Sequence, residues 1–509
     1  MSTFSKVYFT SAVSLLLGTT AGFADVTNAN VWENWQGYMT SMGYEVSANE
    51  SVSGNVLTIT DVKMTMDFAL GNDSMNATMP EIQFTEQGDG SVRITVPEKT
   101  IFDVDLTLES GEAVSASIGY SQDGLNMVVT GDPDNFNYAY SANALDMTLD
   151  NLTVDDETIG PDLARAKVSL KDVNGNSTIS TSELREYSQS GSIGLITYDV
   201  AFSDPETGGT IKMDGALQEL ASNSIGSIPN TGIKAQDVAA MLDAGFAGNG
   251  TAAYQAGNMD IAFDGPDGAG TATTSSTGGE IVFTMDGNGL RYSVGQDNLA
   301  INALMPDVPL PITLNMATSK FNVAMPLRKS DDEQDFAFGF TMGDFTVSDM
   351  LWSMFDPAVN LPRNPATLAV DLSGKAKVLF NFFDPDQAAA LESSGAAPGE
   401  LNALSLNSLV VDAVGARLTA TGDFTFDNTD LVSFEGMPRP TGGIDLKLVG
   451  GNGLLDNLVN MGILPEQQAM GARMMMGLFA RAGTEPDTVT SKIEINDAGH
   501  ILANGQRIQ

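Results

Sequence analysis

The 509-residue chain has no cysteine, one histidine, and 24 Lys and Arg against 65 Asp and Glu. Without cysteine it has no disulfide framework, no thiolate zinc cluster and no thiol nucleophile. Its one imidazole, His500, falls in a turn predicted at Asp497-Ala498-Gly499-His500, whereas a Ser-His-Asp arrangement needs its imidazole oriented at a sheltered site. There is no Gly-x-Ser-x-Gly elbow, no Ser-x-x-Lys pair and no Gly-rich phosphate loop between a strand and a helix. Cations are too few for binding a phosphate backbone, which excludes a nucleic-acid role and disfavours docking on an anionic membrane by charge alone. Past the first two dozen residues no apolar run approaches a membrane-spanning length, so the mature chain has no predicted transmembrane segment.

What the chain does have begins at its start. Lys6 supplies a basic n-region, Val7–Leu17 an apolar stretch too short to span a bilayer, and Gly22 and Ala24 the small residues of a cleavage site. This reads as a secretory signal peptide over residues 1–24, cut after Ala24, which gives a periplasmic location. Its removal takes away only Lys6, moving the net charge from −41 to −42. Apolar residues are 42% of the sequence, enough for large cores in a chain of roughly 485 mature residues.

The apolar pattern is mostly of period two. A helix is predicted over Asn28–Met42, ended by Gly43. Leu57 and Ile59 then alternate on one parity and Val62, Met64, Met66 and Phe68 on the other, a slip at Thr60-Asp61 that predicts a bend within one long strand. Further alternating runs include Phe102–Leu108, Phe136–Leu149, Glu280–Met325, Ala376–Phe382, Ala416–Phe426 and Ile444–Leu448. Runs of this kind bury one face and wet the other, as antiparallel strands do. Helices are predicted at Gln236–Ala244, Val347–Phe355, Leu454–Met461 and Pro465–Arg481, and a mobile loop over the Gly/Thr/Ser-rich Asp264–Gly279. The polar stretch Ser222–Thr231 suggests two β-rich halves, 25–230 and 231–509. The expected fold is mainly β, with large curved antiparallel sheets and a few packed helices.

Two features bear on ligands. Asp172, Asn174, Asn176, Thr178, Ser180 and Glu183 occupy positions 1, 3, 5, 7, 9 and 12 of an EF-hand-like pattern, which would make a weak Ca²⁺ loop. Against it, Ser177 stands where the turn wants Gly, and Ala164, Ala166, Val168 and Leu170 lead in as a strand, so a polar connecting loop is the alternative. Met461, Met470, Met474, Met475, Met476, Leu478 and Phe479 form an apolar set around the last helix, as do Trp352, Met354 and Phe355 around an earlier one. Such faces cover a sheet, or line a groove for an acyl chain or amphipathic peptide.

Several short signatures recur in order: Val31-Trp32-Glu33-Asn34-Trp35, Gly43-Tyr44-Glu45-Val46 and Gly88-Asp89-Gly90-Ser91-Val92-Arg93-Ile94-Thr95. Then come Asp356-Pro357, Leu361-Pro362-Arg363-Asn364-Pro365-Ala366-Thr367, Met461-Gly462-Ile463-Leu464-Pro465, Arg473-Met474-Met475-Met476 and Leu502-Ala503-Asn504-Gly505-Gln506-Arg507. Together they resemble the alphaproteobacterial family of domain of unknown function 2125, from about Val31 to the C-terminus. The resemblance implies an exported, β-rich envelope protein and assigns no catalytic residue. The expectation is therefore a non-catalytic protein without cofactor that binds an apolar or amphipathic envelope component such as lipid. A structural or interaction role with an envelope protein is the alternative, and a carboxylate-based hydrolase comes third.

Overall fold

The computed structural model describes residues 25–67, 74–107, 111–155, 157–204, 207–230, 238–381, 384–394 and 397–509. The leader read at residues 1–24 lies outside them, as do Phe68, Leu108 and Phe382 at the ends of expected strands, Thr231, and Gln236 at an expected helix start. Strands make up 65% and helices 12%, so the mainly β reading holds. Among the described residues, 28 strands join one sheet, and every pairing is antiparallel.

Alternation fixes the two faces. In the strand Ala164–Thr181, Ala164, Ala166, Val168 and Leu170 share one face, with Arg165, Lys167, Ser169 and Lys171 on the other. At Asp172 the parity slips, and Val173, Gly175 and Ile179 carry the apolar face onward; Leu145, the partner of Leu170, lines the same cavity as Val173. Asp172 absorbs the slip at φ 56°, in the left-handed region. Asp61, Glu219, Asn298 and Asp344 do so at φ 49–53°, Asp61 confirming the bend read from parity at Thr60-Asp61. Four of these five are Asp or Asn, whose short polar side chains tolerate that conformation best among non-glycine residues.

These residues line up. Asp172 stands opposite Asn143 on one side and Gly194 on the other, Gly194 opposite Glu219, and Asn298 opposite Ala317. The breaks between Ser74–Met79 and Ile82–Glu86, Val92–Thr95 and Lys99–Thr107, Ala113–Asp123 and Asn126–Asp132, Ala247–Tyr254 and Ala256–Gly265, and Gly268–Ser276 and Gly279–Asp286 fall on the same line. One crease thus crosses the sheet from Asp61 to Asp344 and divides it into two tiers. Beyond Gln334–Val347 a single tier continues through Ala366–Val378, Gly399–Ala413, Ala416–Asp427, Arg439–Val449, Thr488–Ile495 and Ile501–Ala503. The helices Asp349–Phe355, Gly451–Asn460 and Glu466–Phe479 stand at that tier's edge, where the second tier stops.

Among the described residues the well-buried core lies at the N-terminal end. Helix Asn28–Ser41 starts on a reciprocal Thr27/Asn30 cap and stops before Gly43 at φ 93°. It lays Val31 and Trp32 on Leu57, Ile59, Ile82, Phe84, Val92, Ile94 and Val129, all at most 3% exposed. Each such side chain contributes about 1.5–3 kcal/mol.

Three elements differ from the sequence reading. Asp264–Gly279 is a hairpin turn followed by the strand Gly268–Ser276, because Thr271 and Thr273 suit the wet face while Gly270 lets the Phe263 ring lie across it. Ser222 and its neighbours, read as a polar separating stretch, belong instead to the strand Thr210–Pro229, which pairs with Ala247–Tyr254 and Ala256–Gly265. The helix Pro385–Ser394 has no counterpart in the sequence reading.

Candidate functional site

The apolar face of the sheet is its dominant surface feature. Val92, Val129, Tyr138, Ser177, Gln189, Ser224, Gly250, Phe283, Tyr292, Val323, Phe338, Leu372, Leu406, Gly422, Ile444, Ile493 and Ala503 follow one another as register partners across the sheet. At about 4.8 Å per strand this row is about 75 Å long. Its neighbour runs Tyr140, Gly175, Gly191, Ser222, Ala252, Ile281, Val294, Phe321, Phe340, Val370, Leu409, Ala420 and Leu446. The opposite face carries ion pairs and hydrogen bonds such as Arg165–Asp199 at 2.8 Å, Lys375–Asp335 at 2.9 Å and Ser405 Oγ donating to Asp423 at 2.6 Å.

Past the N-terminal core the apolar face is only half-covered. Phe202, Ile211, Ile281 and Phe283 are 46, 47, 44 and 38% exposed, where a sandwiched sheet would bury them. The floor is kept smooth by aromatic rings lying over a glycine on the next strand: Tyr140 over Gly175, Tyr187 over Gly226, Tyr198 over Gly215, Phe263 over Gly270 and Phe336 over Gly374. A Cβ at any of these glycines would enter the ring.

Two cavities open on this face. One of about 360 Å³ lies at the crease, lined by Phe102, Tyr120, Met127, Tyr140, Leu145 and Val173. The other, about 740 Å³, lies where helix Asp349–Phe355 leans over Phe345, Val347, Ala366 and Val414. Arg363 guards it, with its guanidinium 5.8 Å from the Trp352 ring centre and Nη1 2.7 Å from Asp349. Beneath, fully buried Asp356 accepts from the N–H groups of Asn360 (2.8 Å) and Leu361 (2.9 Å). Burial raises its pKa, but the Leu361 and Asn360 donors outweigh this and hold the carboxyl below its usual range.

One stretch of the face is polar. Ser177, Gln189, Ser222 and Ser224 interrupt the apolar rows beside Tyr138, whose hydroxyl donates to Asn34 Oδ1 at 3.0 Å. Arg185 is 5% exposed beneath the helix Asn28–Ser41, and burial lowers its pKa while Tyr138 and Tyr38 oppose that. Nothing in the sequence singles out Arg185, which sits in Glu183-Leu184-Arg185-Glu186 and reads as a solvated charge.

The calcium-like residues are not brought together. Asp172, Asn174, Asn176, Thr178 and Ser180 lie along one continuous strand, Ala164–Thr181, with Glu183 in the turn after it. Alternate strand residues are about 6.6 Å apart, so these oxygens form a row on the wet face and not the 2.3–2.6 Å cage that calcium requires. This corrects the loop geometry read from their spacing. Asn174 instead donates to the Asp172 carbonyl, and Ser190 to Asn176. Among the described residues no cluster of three His, Asp or Glu forms a metal site.

His500 is half-buried in the turn between Thr488–Ile495 and Ile501–Ala503. Among the described residues, every carboxylate with a resolved shift, namely Asp89, Asp356, Asp427, Asp430 and Asp487, is lowered. No described helix is long and apolar enough to cross a membrane.

Residues 237–503 match the family described as an uncharacterized protein conserved in bacteria, domain of unknown function 2125. The chain belongs to that family. The match takes in all three edge helices and the 740 Å³ cavity, while the signatures at Val31–Trp35, Gly43–Val46 and Gly88–Thr95 precede it. No curated protein matches the chain.

Proposed function

We propose that this member of the domain of unknown function 2125 family is an exported, non-catalytic protein of an alphaproteobacterial periplasm that holds the acyl part of a lipid-like amphiphile on its creased sheet. The observation that carries the reading is the long one-sided apolar face, half-exposed over its middle and floored by rings laid on glycines. An apolar surface this extensive on a chain of net charge −41 is a liability unless something covers it. Acyl chains suit it because they need only apolar contact and no directional partner. The leader at residues 1–24 supports export. The lowered carboxylates are hydrogen-bonded caps, ill suited to general-acid chemistry, and this supports the absence of catalysis. The test is titration of the delipidated mature protein with a fluorescent fatty acid. Saturable uptake is expected, and its absence refutes the reading.

One observation favours a second reading. Met470, Met474, Met475 and Leu478 on helix Glu466–Phe479 are 50–65% exposed, a surface of the type that binds another envelope protein. A stoichiometric protein partner recovered from envelope extract, lost on Met474→Ser with Leu478→Ser, would support it.

A further inference from the structure

We propose that Arg185, Ser177 and Asn34 form a binding site for an anionic group, a phosphate monoester or carboxylate, seated where the polar stretch interrupts the apolar face. The proposal rests on the reading above only for the acyl chain that follows the anion.

The argument starts from orphaned donors. Asn34, Ser177 and Arg185 are 5, 8 and 5% exposed, and Asn34 Nδ2, Ser177 Oγ and Arg185 Nε and Nη1 have no hydrogen-bond partner among the described residues. Asn34 Oδ1 is already occupied by the Tyr138 hydroxyl, so the free end of that amide is its donor. All three groups offer N–H or O–H. A buried guanidinium without a counter-ion is costly, and folded chains keep one only where an anion compensates it. In a chain with 65 carboxylates and 24 Lys and Arg, no described carboxylate pairs with Arg185. The groups facing it are instead Tyr138 and Tyr38, hydroxyls that leave its charge uncancelled.

The surroundings fit an amphiphile. Helix Asn28–Ser41 roofs the cluster, with Gly37 beside the guanidinium: a Cβ there would lie 2.7 Å from Arg185 Nη2. Tyr138 and Ser177, register partners, stand two residues along their strands from Tyr140 and Gly175. Tyr140 lines the 360 Å³ crease cavity. The polar cluster and an apolar cavity thus adjoin on one face, one suited to a head and the other to a tail.

The experiment compares lysophosphatidic acid, the monoacylglycerol of the same chain, and glycerol 3-phosphate by calorimetry, below micelle-forming concentrations, on delipidated wild type, Arg185→Met and Arg185→Lys. Charge-assisted hydrogen bonds predict that wild type prefers lysophosphatidic acid over monoacylglycerol by about 10- to 100-fold. Arg185→Met should lose that preference while its monoacylglycerol affinity stays unchanged, and Arg185→Lys should keep part of it. Ligand-free Arg185→Met should melt no lower than wild type, because a methionine there removes an unpaired buried charge. Equal binding of the two lipids by wild type, a preference that survives Arg185→Met, or a lower melting point for that variant overturns the anion site and leaves the groove reading standing. Glycerol 3-phosphate binding that depends on Arg185, with no monoacylglycerol uptake, upholds the anion site with a free phosphate as its ligand and refutes the groove. Binding of none of the three refutes both.

Discussion

Phe84 and Phe283 face the same side of one sheet and should respond to substitution in opposite ways. Phe84 is fully buried beneath helix Asn28–Ser41, its ring 6.0 Å from Trp32 and 5.5 Å from Trp35. Phe84→Ala leaves a cavity in a packed core, which costs about 3–5 kcal/mol. Phe283 is 38% exposed with Gly250 and Tyr292 as its register partners. Replacing it forfeits only the buried part of its transfer energy, about 1–2 kcal/mol, and the space left is open to water. Phe283→Glu should therefore cost less than Phe84→Ala in urea unfolding, read as a shift of midpoint at unchanged slope. Fatty-acid uptake should run the other way. Burying an ionised carboxylate under an acyl chain costs several kcal/mol, so Phe283→Glu should weaken uptake at least about 10-fold while folded Phe84→Ala keeps it. Equal destabilisation by the two substitutions would mean the sheet face is covered in solution. Unchanged uptake by Phe283→Glu would place the ligand elsewhere.

Gly175→Val drives a side chain into the Tyr140 ring and should cost about 1–3 kcal/mol by overpacking, while narrowing the crease cavity enough to weaken fatty-acid binding; a neutral effect on both, by thermal melting and titration, refutes the ring-on-glycine floor. Asp172→Gly should be neutral or slightly stabilising at φ 56°, and Asp172→Val should cost about 1–2 kcal/mol; the same cost for both would deny the crease its conformational basis. Calorimetry with calcium should give the same heat for wild type and Asp172→Gly, and a heat abolished by the substitution would restore a cation site. Asp356 has a lowered folded pKa, so its contribution to stability is present above the unfolded carboxylate value, about pH 3.9, and is lost as pH falls through the folded pKa. Asp356→Asn should thus separate from wild type in melting temperature at neutral pH and converge with it below pH 4; parallel curves would rule the carboxylate out as the origin.

Much of the local structure was legible because period two writes itself into sequence. The helix at Asn28–Ser41, the slip at Asp61 and the strands through Phe136, Val168 and Leu446 follow from spacing alone. What alternation does not carry is which strand neighbours which row. Asp172 shows the limit: an aspartate favoured in a left-handed backbone and an aspartate favoured as a calcium ligand are the same letter, and only its alignment with Asn143, Gly194 and Glu219 distinguishes a crease from a cage. The Gly- and Thr-rich segment 264–279 read as a loop because a glycine's value there lies in the Phe263 ring on the facing strand. Arg185 was hidden for the same reason. Flanked by Leu184 and Glu186 it reads as surface, and only the pairing of Leu184–Ser203 with Ala164–Thr181, and of that strand with Asn135–Val154, brings it beneath the helix.

The crease also bears on why so large an apolar face stays unpaired. A flat sheet this long would bury its oily side by stacking on a second copy. Left-handed residues set in line at Asp61, Asp172, Glu219, Asn298 and Asp344 crease the sheet at one height, and a creased face does not press flat against a second copy. The acidic and hydroxyl-rich opposite face repels a copy approaching from behind. What fits the crease is something narrow and flexible, as an acyl chain is. A ligand that binds only the folded sheet stabilises it by about 2.7 kcal/mol at a hundredfold excess over its Kd. The protein taken directly from an envelope should therefore melt higher than the same protein after delipidation, and should regain the difference when lysophosphatidic acid is returned. Identical melting before and after extraction would show that the crease is empty in the cell.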